Sequence, residues 1–224
     1  MRCSASAAAC CCLVWMTFFV PSLQAADDAG MNRGEARKLV GQAVELARQG
    51  RPEKAIDAYS RAIELDDRSV EALFGRAALY AAKGRNDLAI GDYSRIVDMD
   101  RRNANAFNNR GMTYFSVGRY PRAVEDLTSA VNLDQAKPLY RQNRAAVYAR
   151  MKEYGKAIAD YTAVVGSQPE NGDAYAGRGA AYFESGDVRS ARFDLEKACS
   201  LGSRTGCQSL KAVKRSRQGE RERS

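Results

Sequence analysis

Two kinds of charged residue recur in this chain at a spacing that could support chemistry. The arginines, each 34 residues from the next, are Arg76, Arg110, Arg144 and Arg178. The aspartates, each 16 residues after one of these arginines, are Asp92, Asp126, Asp160 and Asp194. Because a guanidinium group binds carboxylates and other anions, the pattern predicts either a row of arginines that binds an anionic ligand or a row of internal ion pairs. We favour the ion pairs, because every arginine has its own aspartate and a paired charge is already satisfied.

The chain contains no histidine. This absence excludes serine–histidine and cysteine–histidine nucleophiles and the usual zinc ligand sets. The chain also lacks a glycine-rich phosphate loop followed by lysine and serine or threonine, so that no nucleotide site of that kind is expected. A hydrolase that uses only carboxylates is the remaining enzymatic alternative, but no residue pattern supports it. The sequence therefore predicts a protein that is not an enzyme and has no cofactor, metal or small-molecule substrate.

Residues 1–25 have the pattern of a secretory signal peptide. Arg2 is followed by an apolar run from 7 to 20, a break at Pro21, and a small residue, Ala25, at the expected cleavage site. A membrane anchor is the alternative, but the run is shorter than the roughly 20 residues of a bilayer span. Lipidation at Cys10 is disfavoured, because such a signal wants an aliphatic residue three positions before the cysteine. We expect cleavage near Ala25 and export, to the bacterial periplasm.

Cleavage at that site leaves two of the six cysteines, Cys199 and Cys207. Disulfides persist in the oxidising compartments that exported proteins reach. We favour a disulfide between them slightly over two separate buried thiols, which are also common in protein cores. The disulfide would attach a closing helix to the end of the preceding structure.

The charge of the exported chain is concentrated at its C-terminus. Without residues 1–25 the chain has 34 basic and 27 acidic residues, and six basic and two acidic residues lie within 211–224. We favour a solvated tail, with weak contact to anionic lipid or an envelope polymer as the alternative. Nucleic acid is not an expected partner of an exported protein.

The elements that must position these residues are copies of one unit. Alanines recur every 34 residues, and each has a tiny residue 12 positions before it and a large one four positions after it. Spacings of three, four and seven place side chains on one helical face, so that each unit is predicted to be two antiparallel helices. A glycine, such as Gly50 or Gly118, precedes four of the alanines by five residues and ends the first helix. Lys152 replaces it in the fourth unit, so that this turn must be closed differently or carry modest strain.

The repeated unit resembles the tetratricopeptide repeat. Residues 106–134 and 174–202 carry the resemblance most clearly, through a small residue, an aromatic residue, a glycine and an alanine at matching positions. The resemblance implies an all-α, right-handed α-solenoid of five helix–turn–helix units. The predicted segments are a linker, 26–35; the repeat array 36–205, with units 36–69, 70–103, 104–137, 138–171 and 172–205; a capping helix, 206–217; and a disordered basic tail, 218–224.

The resemblance also implies a concave groove lined by the first helix of each unit. Positions carried over from the family give these groove candidates: Val40, Phe74, Asn108, Met112, Phe115, Gln142 and Phe183. We expect the amides to pair with a ligand's backbone and the apolar side chains to contact its side chains. The alternative is that Phe115 and Phe183 pack between neighbouring repeats. The basic residues of a carboxylate clamp are missing.

The predicted function is that of an exported, non-enzymatic adaptor or scaffold, which binds a peptide or helix segment of a partner protein in the groove. The alternative is a structural component of a cell-envelope or secretion assembly. Such a component would dock through the convex face of the array or through the basic tail.

Overall fold

The structure, a computed structural model, describes the backbone of residues 20–221 and the side chains of residues 30–215. Within this range the chain forms eleven α-helices and no strand. They are α1 (Val20–Arg48), α2 (Pro52–Leu65), α3 (Val70–Ala82), α4 (Asn86–Met99), α5 (Ala104–Ser116), α6 (Tyr120–Leu133), α7 (Pro138–Arg150), α8 (Tyr154–Ser167), α9 (Gly172–Glu184), α10 (Val188–Ser200) and α11 (Arg204–Arg221). The predicted all-α fold of helical repeats is confirmed. The chain divides into two compact units, Met1–Ala72 and Leu73–Ser224.

The first unit contains one complete helical hairpin, in which α1 packs against α2. Ala43 of α1 and Ala55 of α2 are fully buried, and Tyr59 is 5% exposed. Proline at the first position of α2, Pro52, costs no helical hydrogen bond. The predicted linker 26–35 is wrong as a separate segment, because α1 runs through it. No proline interrupts residues 26–35, so that the first helix of the hairpin continues toward the N-terminus.

The second unit consists of successive hairpins, α3–α4, α5–α6, α7–α8 and α9–α10, followed by α11. The ion pair between Arg76 and Asp92 joins α3 to α4. From α5 onward each helix packs against the one before it in sequence, and the first helices α5, α7 and α9 are also neighbours. The tiny residue of the repeat lies where two helices of one hairpin approach closely. A Cβ atom on Gly111 would lie 3.0 Å from the Leu127 side chain and 3.2 Å from the Ala123 carbonyl oxygen. A larger residue there would push α5 and α6 apart.

The turns inside the hairpins depend on a left-handed residue. Gly50, Gly84, Gly118 and Gly186 have φ angles of 71°, 74°, 76° and 92°. Lys152 occupies the equivalent position with a φ of 61°, and no other non-glycine residue in the described range has a positive φ. The fourth turn is therefore closed in the same way as the others, in a conformation that costs lysine more than glycine.

The C-terminal helix differs from its prediction in length. α11 begins two residues before and ends four residues after the predicted 206–217. Residues 218–221 of the predicted disordered tail are helical, since Gln218, Glu220 and Arg221 are good helix formers. Residues 222–224 lie outside the described range. The predicted signal peptide also lies outside it, apart from the backbone of 20–25, and no helix in the described range has the length and hydropathy of a membrane span.

Candidate functional site

The structure brings each predicted arginine to its aspartate within one hairpin of the second unit. The distances from the arginine Nε to an aspartate oxygen are 2.8 Å for Arg76–Asp92, 2.8 Å for Arg110–Asp126, 2.8 Å for Arg144–Asp160 and 2.7 Å for Arg178–Asp194. The second oxygen of each carboxylate accepts a hydrogen bond from the arginine Nη2 at 2.8–2.9 Å. The aspartates are 1–7% exposed. Each pair therefore fixes a first helix to a second helix by a two-point, buried ion pair.

Three of the arginines make a further contact that the sequence analysis missed. Their Nη1 atoms donate to a hydroxyl group on the second helix of the preceding hairpin: Arg110 to Ser94 at 3.1 Å, Arg144 to Thr128 at 3.2 Å and Arg178 to Thr162 at 3.2 Å. The signal was a serine or threonine 16 residues before each arginine. Hydrogen bonding to the aspartate raises the pKa of all three guanidinium groups. These groups are occupied inside the protein, which argues against a row of arginines that binds an anion.

A chain of side-chain amides runs between the neighbouring first helices α5 and α7. Asn143 donates from Nδ2 to Asn108 Oδ1 at 2.8 Å, and Asn108 donates from Nδ2 to Asn109 Oδ1 at 2.9 Å. We call Asn108, Asn109 and Asn143 the amide cluster. Asn108 is only 5% exposed, so that the expectation of an open amide edge at this residue is wrong. Burial within the helix–helix contact explains why its amide pairs with protein groups.

The other two members of the amide cluster reach solvent and were not predicted. Asn109 and Asn143 are half-buried and lie 34 residues apart, at the same position of consecutive first helices. Burial raises the pKa of the neighbouring Tyr93, and the Asn109 side chain offsets part of this rise. Gln142, the other predicted amide, is half-buried beside them and accepts from Asn171 Nδ2 at 3.3 Å.

The predicted apolar groove residues lie partly in the core. Met112 and Phe115 pack against a core cluster of Tyr114, Ala123, Leu127 and Val147. The Phe74 ring meets the Tyr93 ring edge-on, with centroids 5.5 Å apart. Phe183 is half-buried, and Val40 belongs to the core of the first unit at 9% exposure. Val40 is therefore wrong as a groove residue, because its side chain is buried.

Five surface positions on α5, α7 and α9 hold apolar or amide side chains without a charge. Equivalent positions hold Met112, Ala146 and Ala180, of which the first two are half-buried and the third is exposed. We call these three residues, with Asn109 and Asn143, the first-helix surface. A side-chain amide carries two donors and an acceptor. The surface therefore offers hydrogen bonds beside apolar contact area, without a net charge.

A disulfide joins Cys199 of α10 to Cys207 of α11, the pairing that the sequence analysis favoured. The two Cα atoms are 4.6 Å apart. Both cysteines are half-buried. The bond attaches α11 to the last hairpin of the second unit.

Comparison with known proteins places these observations in a family. The sequence profile of the tetratricopeptide repeat matches residues 40–106, 84–141 and 143–200, which together make up more than half of the chain. A comparison with curated protein sequences finds no match.

Solved structures of the same architecture are similar to this one. The crystal structure of MamA is 26% identical, with a TM-score of 0.67 over 71% of this chain and 93% of that chain. YrrB, described as a TPR protein with an unusual peptide-binding site, is 21% identical, with a TM-score of 0.68 over 83% of this chain and 97% of that chain. PilF of Pseudomonas aeruginosa is 18% identical, with a TM-score of 0.67 over 83% of this chain and 89% of that chain. With its 34-residue period, its hairpins and the profile match, the chain belongs to the tetratricopeptide repeat family.

Proposed function

We propose that this protein is an adaptor, without catalytic residues of its own, which binds an extended peptide segment of a partner protein on the first-helix surface. The observation that carries the proposal is the pair of half-buried amides, Asn109 and Asn143, beside Met112 and Ala146 on adjacent helices. An extended peptide has backbone N–H and C=O groups free to pair with such amides. A helical ligand satisfies its backbone groups internally and would use only the apolar part of the surface.

The family and its structures support the proposal. Tetratricopeptide repeats are protein-interaction modules, and YrrB, of the same fold, is described as having a peptide-binding site. The arginine–aspartate pairs support it indirectly. The pairs use the repeated charges inside the hairpins, so that these charges are not available to bind a partner at the first-helix surface.

Matched alanine-to-arginine substitutions test the proposal. Ala146→Arg and Ala180→Arg place a long side chain on the first-helix surface, whereas Ala159→Arg and Ala163→Arg place the same side chain on exposed positions of the second helix α8. All four changes add one charge and replace a good helix former by another. The probe is a peptide selected from a displayed random library against the wild-type protein, and its affinity is measured by calorimetry.

The proposal predicts that Ala146→Arg and Ala180→Arg weaken binding on the order of tenfold or more, about 1.4 kcal/mol. The α8 variants should bind as the wild type does. Equal effects at both sets of positions, or an effect at α8 alone, would contradict the proposal.

A second candidate is a structural component that docks through its second helices. It is favoured by Phe193 of α10, which is 70% exposed. The ring borders a cavity of about 330 Å³ that is also lined by Thr162, Arg178 and Tyr182. Phe193→Glu should then disrupt assembly in envelope fractions while leaving peptide binding intact. Unchanged assembly in Phe193→Glu would remove this candidate.

We also propose that the protein is exported, with the signal peptide pattern of residues 1–25 as the support. The disulfide between Cys199 and Cys207 fits an oxidising compartment. N-terminal sequencing of the protein from fractionated cells tests this, with Ala26 expected as the first residue of a periplasmic species. A protein that keeps Met1 in the cytoplasmic fraction would contradict it.

A further inference from the structure

We propose that the Cys199–Cys207 disulfide is a redox latch. It holds the capping helix α11 on the last hairpin, and reduction by a dithiol releases the helix while the hairpins stay folded. The proposal concerns the attachment of α11 and does not depend on what the first-helix surface binds.

The first observation is that α11 has little packing of its own. It is 18 residues long, yet among its described residues only Gly206 and Val213 are buried. Leu210 is half-buried, and Lys211, Lys214 and Arg215 are exposed. The preceding first helix, α9, buries Ala174, Ala176, Gly179 and Ala181 within only 13 residues. The burial of apolar area therefore contributes little free energy to holding α11 against the last hairpin.

The second observation is that α11 lacks the ion pair that fixes the other first helices of the second unit. The seventh residue of α9 is Arg178, which pairs with Asp194 of α10. The seventh residue of α11 is Leu210, which cannot form such a pair. Within the described range no second helix follows α11, so that nothing described packs on its other side in the way that α10 packs on α9.

The third observation is that the first turn of α11, with the residue before it, makes close contacts with the last hairpin. Ser203, immediately before the helix, donates from Oγ to Asp173 at 2.8 Å, and Gly206 lies so close to Ala198 that a Cβ atom would be 2.5 Å from the Ala198 side chain. Cys207 belongs to the same first turn. The disulfide therefore lies in the part of α11 that makes these close contacts. Both of its sulfurs belong to half-buried residues, which a small reductant can reach.

The chemistry of release is thiol–disulfide exchange. One thiolate of the dithiol attacks a protein sulfur, breaks the Cys199–Cys207 bond and forms a mixed disulfide. The second thiolate of the reductant attacks the mixed disulfide and displaces that sulfur. Two electrons pass to the protein, which gains two protons and ends with two thiols, while the reductant ends as an internal disulfide. Release of α11 uncovers Ala198 and ends the row of first helices at α9.

Hydrogen–deuterium exchange of the full chain, oxidised and reduced with dithiothreitol, tests the latch. The amides of residues 204–215 should lose protection by about 30- to 1,000-fold on reduction, following the usual contribution of a disulfide. The amides of α9 and α10 should keep theirs. The Cys199→Ser, Cys207→Ser variant should show unprotected α11 with or without reductant, which controls for effects of the reductant elsewhere.

A packing variant separates the latch from ordinary helix packing. Val213→Ala removes the one large apolar side chain that α11 buries, and in the oxidised protein α11 should nevertheless stay protected. Two results would overturn the proposal. One is full protection of α11 in the reduced wild type. The other is an equal loss of amide protection in α9, α10 and α11, which would mean that the disulfide stabilises the whole last repeat.

Discussion

The hairpins of the second unit have both buried small residues and an ion pair between their helices, whereas the hairpin of the first unit has the buried residues without the ion pair. In α5–α6 the first helix carries Arg110, which pairs with Asp126 at 2.8 Å. In α1–α2 the equivalent residues are Gln42 and Ala58, which cannot form such a pair. The small residues Ala43 and Ala55 are nevertheless fully buried. Burial of small and apolar residues is therefore sufficient to form the hairpin. The ion pair adds a fixed register between two helices, at the cost of removing two charges from water.

Removing one partner of an ion pair should have the largest effect. Asp126→Ala leaves Arg110 without its carboxylate in a site where the arginine side chain is 16% exposed. We expect a loss of about 3–5 kcal/mol in the free energy of unfolding, measured by urea denaturation.

The control for this prediction copies the first hairpin into the third. Arg110→Gln combined with Asp126→Ala reproduces Gln42 and Ala58. It should recover most of the loss, because neither charge is left buried and alone. A double variant as unstable as Asp126→Ala would mean that the pair itself, rather than the stranded charge, supplies the stability.

The tyrosines at the same repeat position should differ in their response to alkali. Burial, with the neighbouring Asp160 charge, raises the pKa of Tyr161 to about 12 from 10.0, whereas for Tyr59, which follows Ala58, burial alone raises the pKa. Because the raised pKa belongs to the folded state, the stability that neutral Tyr161 contributes is complete below pH 10 and is lost as the pH rises toward 12.

As the pH rises toward 12, the free energy of unfolding of Tyr161→Phe should therefore fall by about 2 kcal/mol less than that of the wild type. Tyr59→Phe should remove less. Denaturation midpoints between pH 9 and pH 12 measure both variants. A greater effect at Tyr59 would contradict the role of the neighbouring carboxylate.

The smallest effect is expected at the turns. Gly50 and Lys152 hold the same left-handed position, with φ angles of 71° and 61°. Lys152→Gly should stabilise the protein by up to about 1 kcal/mol, and Gly50→Lys should destabilise it by a similar amount. Thermal denaturation measures both changes. Destabilisation by Lys152→Gly would show that the lysine side chain makes contacts worth more than its backbone strain.

The repeat period made much of the fold predictable, because each unit repeats the pattern of the others. It indicated the hairpins, the tiny residues at close approaches, and arginine–aspartate partners that proved to be in contact. The hydroxyl groups of Ser94, Thr128 and Thr162 share the same period but were overlooked, since the repeat spacing alone does not show that a hydroxyl contacts the next arginine. The full lengths of α1 and α11 were not predicted, because the repeat pattern ends before they do.

The candidate surface was predicted less well than the fold. The resemblance assigned the groove amide to Asn108, but successive residues of a helix point about 100° apart. A shift of one residue therefore separates the buried Asn108 from the half-buried Asn109. Val40, which is buried, was assigned to the groove for a related reason. Whether an apolar side chain faces a groove or the core depends on the packing of its own hairpin, which the position in the repeat does not specify.

One measurement tests the central claim most directly, namely where a selected peptide changes the amide NMR signals of the protein. We expect the largest changes along α5, α7 and α9, including the side-chain NH₂ groups of Asn109 and Asn143. Changes centred on the second helices, around Phe193, with the first helices unaffected, would contradict it.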